Sequence, residues 1–80
     1  MWKKTEVSFI ISVIQFADVN GNTYVYMGAE DGTVYKALFH ENESLLFAKV
    51  GDKIIGFLQN GNVTVEKVEK IENTPLVDKI

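Results

Sequence analysis

Residues 18–33 read DVNGNTYVYMGAEDGT, an apolar strand-like run held between two turn signals. Asn20-Gly21 precedes the run, Asp31-Gly32 follows it, and a third pair of this kind, Asn60-Gly61, lies farther along the chain. Glycine adopts positive φ without a Cβ clash, and Asn or Asp tolerates turn geometry. Each pair between apolar runs therefore predicts a β-hairpin.

Outward from these turns, the sequence predicts five strands and one short helix. The first strand is long and has apolar residues on both faces, which indicates that it bends or is covered on both sides. Between the third and fourth strands, Asn42 suits a helix N-cap and Glu43 suits the first turn. The predicted order is β-β-β-α-β-β, with strands at 6–17, 23–29, 33–39, 53–59 and 62–71 and the helix at 41–49.

The composition indicates one small globular domain. The chain has 80 residues, of which 46% are apolar, and it has no cysteine that could form a disulfide or a zinc site. We expect one all-β domain at residues 1–72 and a C-terminal tail at 73–80, because Pro75 interrupts any regular structure there. Because the chain has no cysteine, packing or self-association must stabilise this small fold.

The charged and polar residues argue against several functions. The net charge is −3 and every basic residue is Lys, whereas Arg is the usual bidentate reader of phosphates and guanine edges. His40 is the only histidine, and no glycine-rich phosphate loop is present. We expect no enzyme, no catalytic or metal-binding residues and no cofactor. Because Glu6 interrupts the apolar N-terminal run and no cleavage site follows, we expect a mature cytoplasmic protein without a membrane segment.

Counting residues back from the turns assigns the strand faces. Three-residue loops at the first two turns place Phe16 opposite Tyr24 and Ile14 opposite Tyr26. A two-residue loop at Asp31-Gly32 is the alternative, but it turns Lys36 inward, which is costly. The predicted core face carries Ile11, Val13, Val25, Met27, Ala29, Tyr35 and Ala37, and the second face carries Ile14, Phe16, Tyr24, Tyr26, Val34, Lys36 and Leu38.

The second face is too apolar to be left bare on a soluble monomer. Tyr24 and Tyr26 share this face with either loop length. Two interpretations stay open: another part of the chain packs over the tyrosines, or they form a platform for a second copy or a partner. The sequence alone does not decide between them.

The strand order and the segment Val50-Gly51-Asp52-Lys53-Ile54-Ile55-Gly56 resemble the OB-fold, a five-stranded Greek-key barrel with a helix between strands three and four. An SH3- or Sm-like barrel is the runner-up, but the helical segment argues against it. In OB-folds the outer face of strands two and three binds ligands. The resemblance therefore implies a site at Tyr24, Tyr26 and Lys36, with Phe16 beside them.

We expect a non-catalytic binding module that acts through protein interaction or self-association by this aromatic sheet face. A protein partner or a homo-oligomer is the expected partner. The alternative is weak, non-specific binding of single-stranded nucleic acid, in which tyrosines stack on bases and Lys36 contacts a phosphate. Glu30 and Asp31, at the neighbouring hairpin tip, would repel a polyanion.

Overall fold

The computed structural model describes residues 4–71, which form one antiparallel sheet of five strands in the order β3-β2-β1-β4-β5. The predicted class, mainly β with five antiparallel strands, is confirmed. The predicted C-terminal tail at 73–80 lies outside the described residues. Over residues 4–71 no helix has the length and apolar character needed to cross a membrane. The strands are β1 (Thr5–Val19), β2 (Asn22–Ala29), β3 (Val34–Leu38), β4 (Lys53–Gln59) and β5 (Asn62–Glu69).

Strand β1 is shared between two ladders. Its first half, Thr5–Ile10, pairs with β4, and its second half, Ile11–Val19, pairs with β2. A bulge at Ser12 lies within the second ladder, next to the change of partner, since Ile11 lies opposite Ala29 while Val13 lies opposite Gly28. A bulge bends its strand, so the predicted bend in the first strand has a definite position.

The first turn is shorter than the sequence predicted. Val19 pairs with Asn22, so the loop holds only Asn20 and Gly21, both at positive φ (52° and 83°). Two positive φ values define a type I′ turn, whose twist matches that of the flanking strands. The predicted three-residue loop is therefore wrong at this turn.

The shorter loop shifts β1 by one residue against β2. Phe16 lies opposite Val25 and Ile14 opposite Met27, so the predicted pairs of these two residues with Tyr24 and Tyr26 are wrong. The bulge at Ser12 then shifts the ladder back, and Ile11 faces Ala29 as predicted. Val13 falls on the other face from Ile11 and is 52% exposed, so its prediction as a core residue is also wrong.

The second turn has the predicted three residues. The Ala29 N–H donates to Thr33 O (2.8 Å) and the Gly32 N–H to Ala29 O (3.0 Å), with Gly32 at φ 94°. This is a type I turn closed by a glycine bulge. Strand β3 therefore keeps the predicted register, with Met27 opposite Tyr35.

The core lies on one side of the sheet and is closed by the connector between β3 and β4. Phe9 stacks on Tyr35 with ring centroids 4.2 Å apart and planes 12° apart. Ala29 and Tyr35 are partly buried against this core, so only Val13 departs from the predicted set. The buried residues are Phe9, Ile11, Val25, Met27, Ala37, Leu45, Ile54 and Val63.

The connector forms two short 3₁₀-helices, Phe39–Glu41 and Glu43–Phe47, rather than one helix over 41–49. Asn42 separates them with φ −141° and ψ 57°. Its side chain makes no N-cap hydrogen bond, so the predicted capping role is wrong. The side chain is instead 4% exposed and points to β5. A buried side-chain amide needs hydrogen-bond partners.

Asn42 fixes the connector to β5 with two hydrogen bonds and to the end of β3 with a third. Its Oδ1 accepts from the Val65 N–H (2.8 Å), and its Nδ2 donates to Val63 O (3.3 Å) and Leu38 O (2.9 Å). The amide therefore satisfies a donor and an acceptor of β5, which is an edge strand of the sheet formed by the described residues.

A turn at Lys49–Asp52 leads into β4 and carries an ion pair, in which the Asp52 carboxylate is buried and the Lys70 side chain is about half exposed. Oδ2 of Asp52 accepts from the Lys49 N–H (3.0 Å) and from Lys70 Nζ (2.6 Å), and Lys70 Nζ also donates to Phe47 O. Burial acts to raise the pKa of Asp52, but these hydrogen bonds and the charges of Lys70 and Lys49 outweigh it and hold the pKa below its usual range.

We expect the fold to lose stability at low pH through Asp52. Because its pKa is lower in the folded than in the unfolded chain, its contribution is present above the unfolded value, about 3.9, and is lost as the pH falls through the folded value. Urea unfolding at a series of pH values should show this loss, and D52N should flatten it. K70M should flatten it too, and the double variant should add little. Equal pH slopes in wild type and D52N would contradict the expectation.

Candidate functional site

The outer face of β1–β3, opposite the core, brings together most of the predicted site. Val25 and Met27 are buried, so Tyr24 and Tyr26, which alternate with them along β2, face outward. Lys36 lies directly across from Tyr26 on β3. Tyr24, Tyr26 and Lys36 therefore share one surface, as the sequence predicted.

The two tyrosines and the lysine contact one another. The ring centroids of Tyr24 and Tyr26 are 6.4 Å apart with planes tilted by 41°. Lys36 Nζ lies 5.2 Å from the centroid of the Tyr24 ring, within the range of a cation–π interaction. The ammonium group is thus held against this protein's own aromatic ring.

Phe16 is separated from this group. It lies opposite Val25 on the core side of the sheet, and its ring packs edge-on against Phe39 with centroids 5.6 Å apart. The two-residue turn at Asn20-Gly21 is the cause, because a one-residue shift moves a side chain to the other face. The four predicted site residues therefore divide into three outward residues and one inward residue.

A groove runs beside Tyr26 where β2 has no side chain. Gly28 lies between Val13 on β1 and Val34 on β3, its partners in the two ladders. The two valines are 52% and 65% exposed and form the walls, while Gly28 forms the floor. We call this depression the Gly28 groove. It encloses about 440 Å³, and its lining includes Val13, Gln15, Tyr26, Gly28, Gly32 and Val34.

One end of the groove is acidic. Ala29 and Gly32 line the groove, and Glu30 and Asp31 occupy the turn between them. The Thr33 N–H donates to Asp31 Oδ1 (2.9 Å). This hydrogen bond, with a second from the Thr33 hydroxyl, holds the pKa of Asp31 below its usual range. The turn therefore presents negative charge beside an apolar groove at neutral pH.

Sequence reasoning missed two residues that form the groove. Gly28 stands inside the apolar run of β2, and a glycine in a strand signals a missing side chain or a close approach, so it could have been found. Val13 could be found only with the two-residue loop at Asn20-Gly21, which places it opposite Gly28 on the outer face. Among residues 4–71 no three His, Asp or Glu side chains are grouped so as to hold a metal ion.

The lining of the groove is mainly apolar. Val13 and Val34 supply aliphatic walls, and the polar side chains in the lining are those of Ser12, Gln15 and Tyr26. No family model, curated protein or solved structure matches the chain.

Proposed function

We propose that the chain is a non-catalytic, cytoplasmic binding module that recognises a protein partner through the Gly28 groove. The observation that carries the proposal is the open space between Val13 and Val34, two valines each more than half exposed in a groove of about 440 Å³. This volume is at the small end of the roughly 300–1,000 Å³ found for ligand pockets. It suits a large apolar side chain of a partner.

Burial of such a side chain gives a physical reason for binding. A fully buried aliphatic or aromatic side chain contributes about 1.5–3 kcal/mol relative to exposure, and the partner would also remove Val13 and Val34 from water. Tyr26 and Gln15 supply polar groups at the border. Protein interfaces commonly have this composition, an apolar centre with tyrosine and polar groups around it.

A charge placed on the groove wall should abolish binding. Peptides selected from a random displayed library against the wild-type protein should bind at least about tenfold more weakly to V34K, equivalent to about 1.4 kcal/mol. The matched control is V19K, because Val19 is also exposed (42%) and lies outside the groove. Fluorescence anisotropy of the labelled peptides measures both variants. A selection without binders, or binders that tolerate V34K and V19K equally, would contradict the proposal.

Binding of single-stranded nucleic acid receives less support from this face. Lys36 is its only lysine within the described residues of β1–β3, and the Lys36 ammonium lies over the Tyr24 ring. Glu30 and Asp31 add repulsion at the end of the groove. A labelled oligonucleotide that bound at ~50 mM salt and dissociated steeply with added salt would favour the nucleic-acid alternative.

We also propose that the sheet curls into a partly open, OB-like barrel. Three features support this: the strand order β3-β2-β1-β4-β5, the use of β1 in both ladders, and the approach of β3 to β5 without ladder pairing. In an OB-fold the outer face of strands two and three is the ligand face, which is where the Gly28 groove lies. Nuclear Overhauser effects between β3 and β5 would test the closure.

A further inference from the structure

A second apolar surface lies on the connector. Leu45 is buried and Ala48 packs against the core, so the tight 3₁₀ turn leaves Leu46 and Phe47 pointing outward. Phe47 is 72% exposed, and Leu46 and Val50 are each more than half exposed. We call these three residues, Leu46, Phe47 and Val50, the connector knob. Such a cluster of large apolar side chains is unusual on a bare surface.

The charges beside the connector knob differ at its two ends, since the exposed Glu43 begins the helix that holds Leu46 and Phe47 and the exposed Lys49 follows that helix. Lys49 is exposed and lies between Phe47 and Val50 in the chain, whereas Asp52, the nearest acidic residue in sequence, is buried against Lys70. The end of the knob at Phe47–Val50 is therefore apolar and cationic, on a chain whose net charge is −3.

The Gly28 groove has the complementary properties. It is concave and apolar, and its end at Glu30–Asp31 is negative, whereas the knob projects and carries Lys49. Phe47 and Val34 are both strongly exposed in the same molecule, so the two surfaces do not cover each other within one copy. Opposite charges across an interface favour the correct partner and orientation.

We propose that the Gly28 groove of one copy binds the connector knob of a second copy, with Phe47 in the groove and Lys49 beside Glu30–Asp31. This inference rests on the proposed function and names a second copy of the chain as the partner. The contact joins two different surfaces, so each bound copy keeps one free groove or one free knob. Association of this kind is head-to-tail and produces a ring or an open chain of copies.

Two single variants and their mixture test the head-to-tail arrangement. Sedimentation velocity should show wild-type species that grow with concentration and shrink with added salt, because the flanking charges are exposed. V34K removes the groove and F47S removes the knob, so each alone should be a monomer. Mixed one to one, they should form a heterodimer and nothing larger, since one working groove and one working knob remain. V19K should associate like the wild type.

The outcomes separate this inference from the proposed function. A wild-type protein that is a monomer up to about 1 mM, or a mixture of V34K and F47S that stays monomeric, would overturn self-association. Dimers of either variant alone would also overturn it, because they require a different surface. Circular dichroism spectra like that of the wild type show that both variants fold. The effect of V34K on the selected peptides tests the groove independently of these results.

Discussion

Replacing Gly56 by alanine is expected to destabilise the fold by about 3 kcal/mol or more, at or above the upper end for overpacked sites. A Cβ at Gly56 would lie 2.1 Å from the carbonyl oxygen of Thr64 and 3.0 Å from the Cα of Val65. Both neighbours are backbone atoms of β5, held in the ladder at an irregularity between Ile55 and Gly56. Backbone atoms in a paired strand cannot move aside as a flexible side chain can, so the strands must separate.

Gly28 provides the matched control, since it is also a strand glycine. A Cβ there would lie 3.6 Å from Val13 Cβ, an ordinary contact, so G28A should stay within about 1 kcal/mol of the wild type. Urea unfolding followed by circular dichroism measures both. A small domain has only about 5 kcal/mol or somewhat more to lose. G56A is therefore expected to keep only about 2 kcal/mol of its free energy of unfolding. Equal stabilities of G56A and G28A would refute the close approach.

Replacing Asn42 by alanine is expected to cost about 2–4 kcal/mol. The change leaves the Val65 N–H and the Val63 and Leu38 carbonyls without the side-chain amide, and each buried polar group that loses its partner costs about 1–3 kcal/mol. The loss should also free the connector from β5. Amide hydrogen exchange should therefore accelerate at Val65 more than at Met27 in the middle of the sheet.

Two further variants identify the cause. N22A removes an exposed asparagine at the start of β2 and should change stability by less than about 0.5 kcal/mol. N42D keeps an acceptor for the Val65 N–H but directs a carboxylate oxygen at two carbonyls, so it should be at least as harmful as N42A. A harmless N42D would show that only the bond from Val65 matters.

The hairpins could be predicted because their determinants are local. Asn20-Gly21, Asp31-Gly32 and Asn60-Gly61 each form a turn, and β4 has the predicted bounds. The length of the loop is not determined locally. An Asn-Gly pair is compatible with a loop of two or of three residues, and the twist of the paired strands selects one of them. The single helix over 41–49 failed for the same kind of reason, because the hydrogen bonds of Asn42 to β5 interrupt it.

The candidate site was predictable only where one register was correct. Tyr24, Tyr26 and Lys36 depend on the β2–β3 turn, which has the predicted length. Phe16 and Val13 depend on the one-residue shift at the Asn20-Gly21 turn, and the bulge at Ser12 cancels that shift before the ladder reaches Ile11. The predicted pairing of Ile11 is thus correct although the predicted register is wrong by one residue between Val13 and Val19. Aromatic pattern and turn chemistry give no signal for such compensating shifts.

The division of β1 between two ladders sets an order for folding during synthesis. The strands β1, β2 and β3 follow one another, so the second half of β1 finds its partner within a short loop. Within residues 4–71 the first half, Thr5–Ile10, pairs with Lys53–Leu58 alone, and closing so long a loop is slow. An edge of β1 that includes Phe9 stays unpaired on the ribosome until residues 53–58 emerge. The nascent chain can therefore aggregate through Thr5–Ile10 for as long as synthesis takes to reach β4.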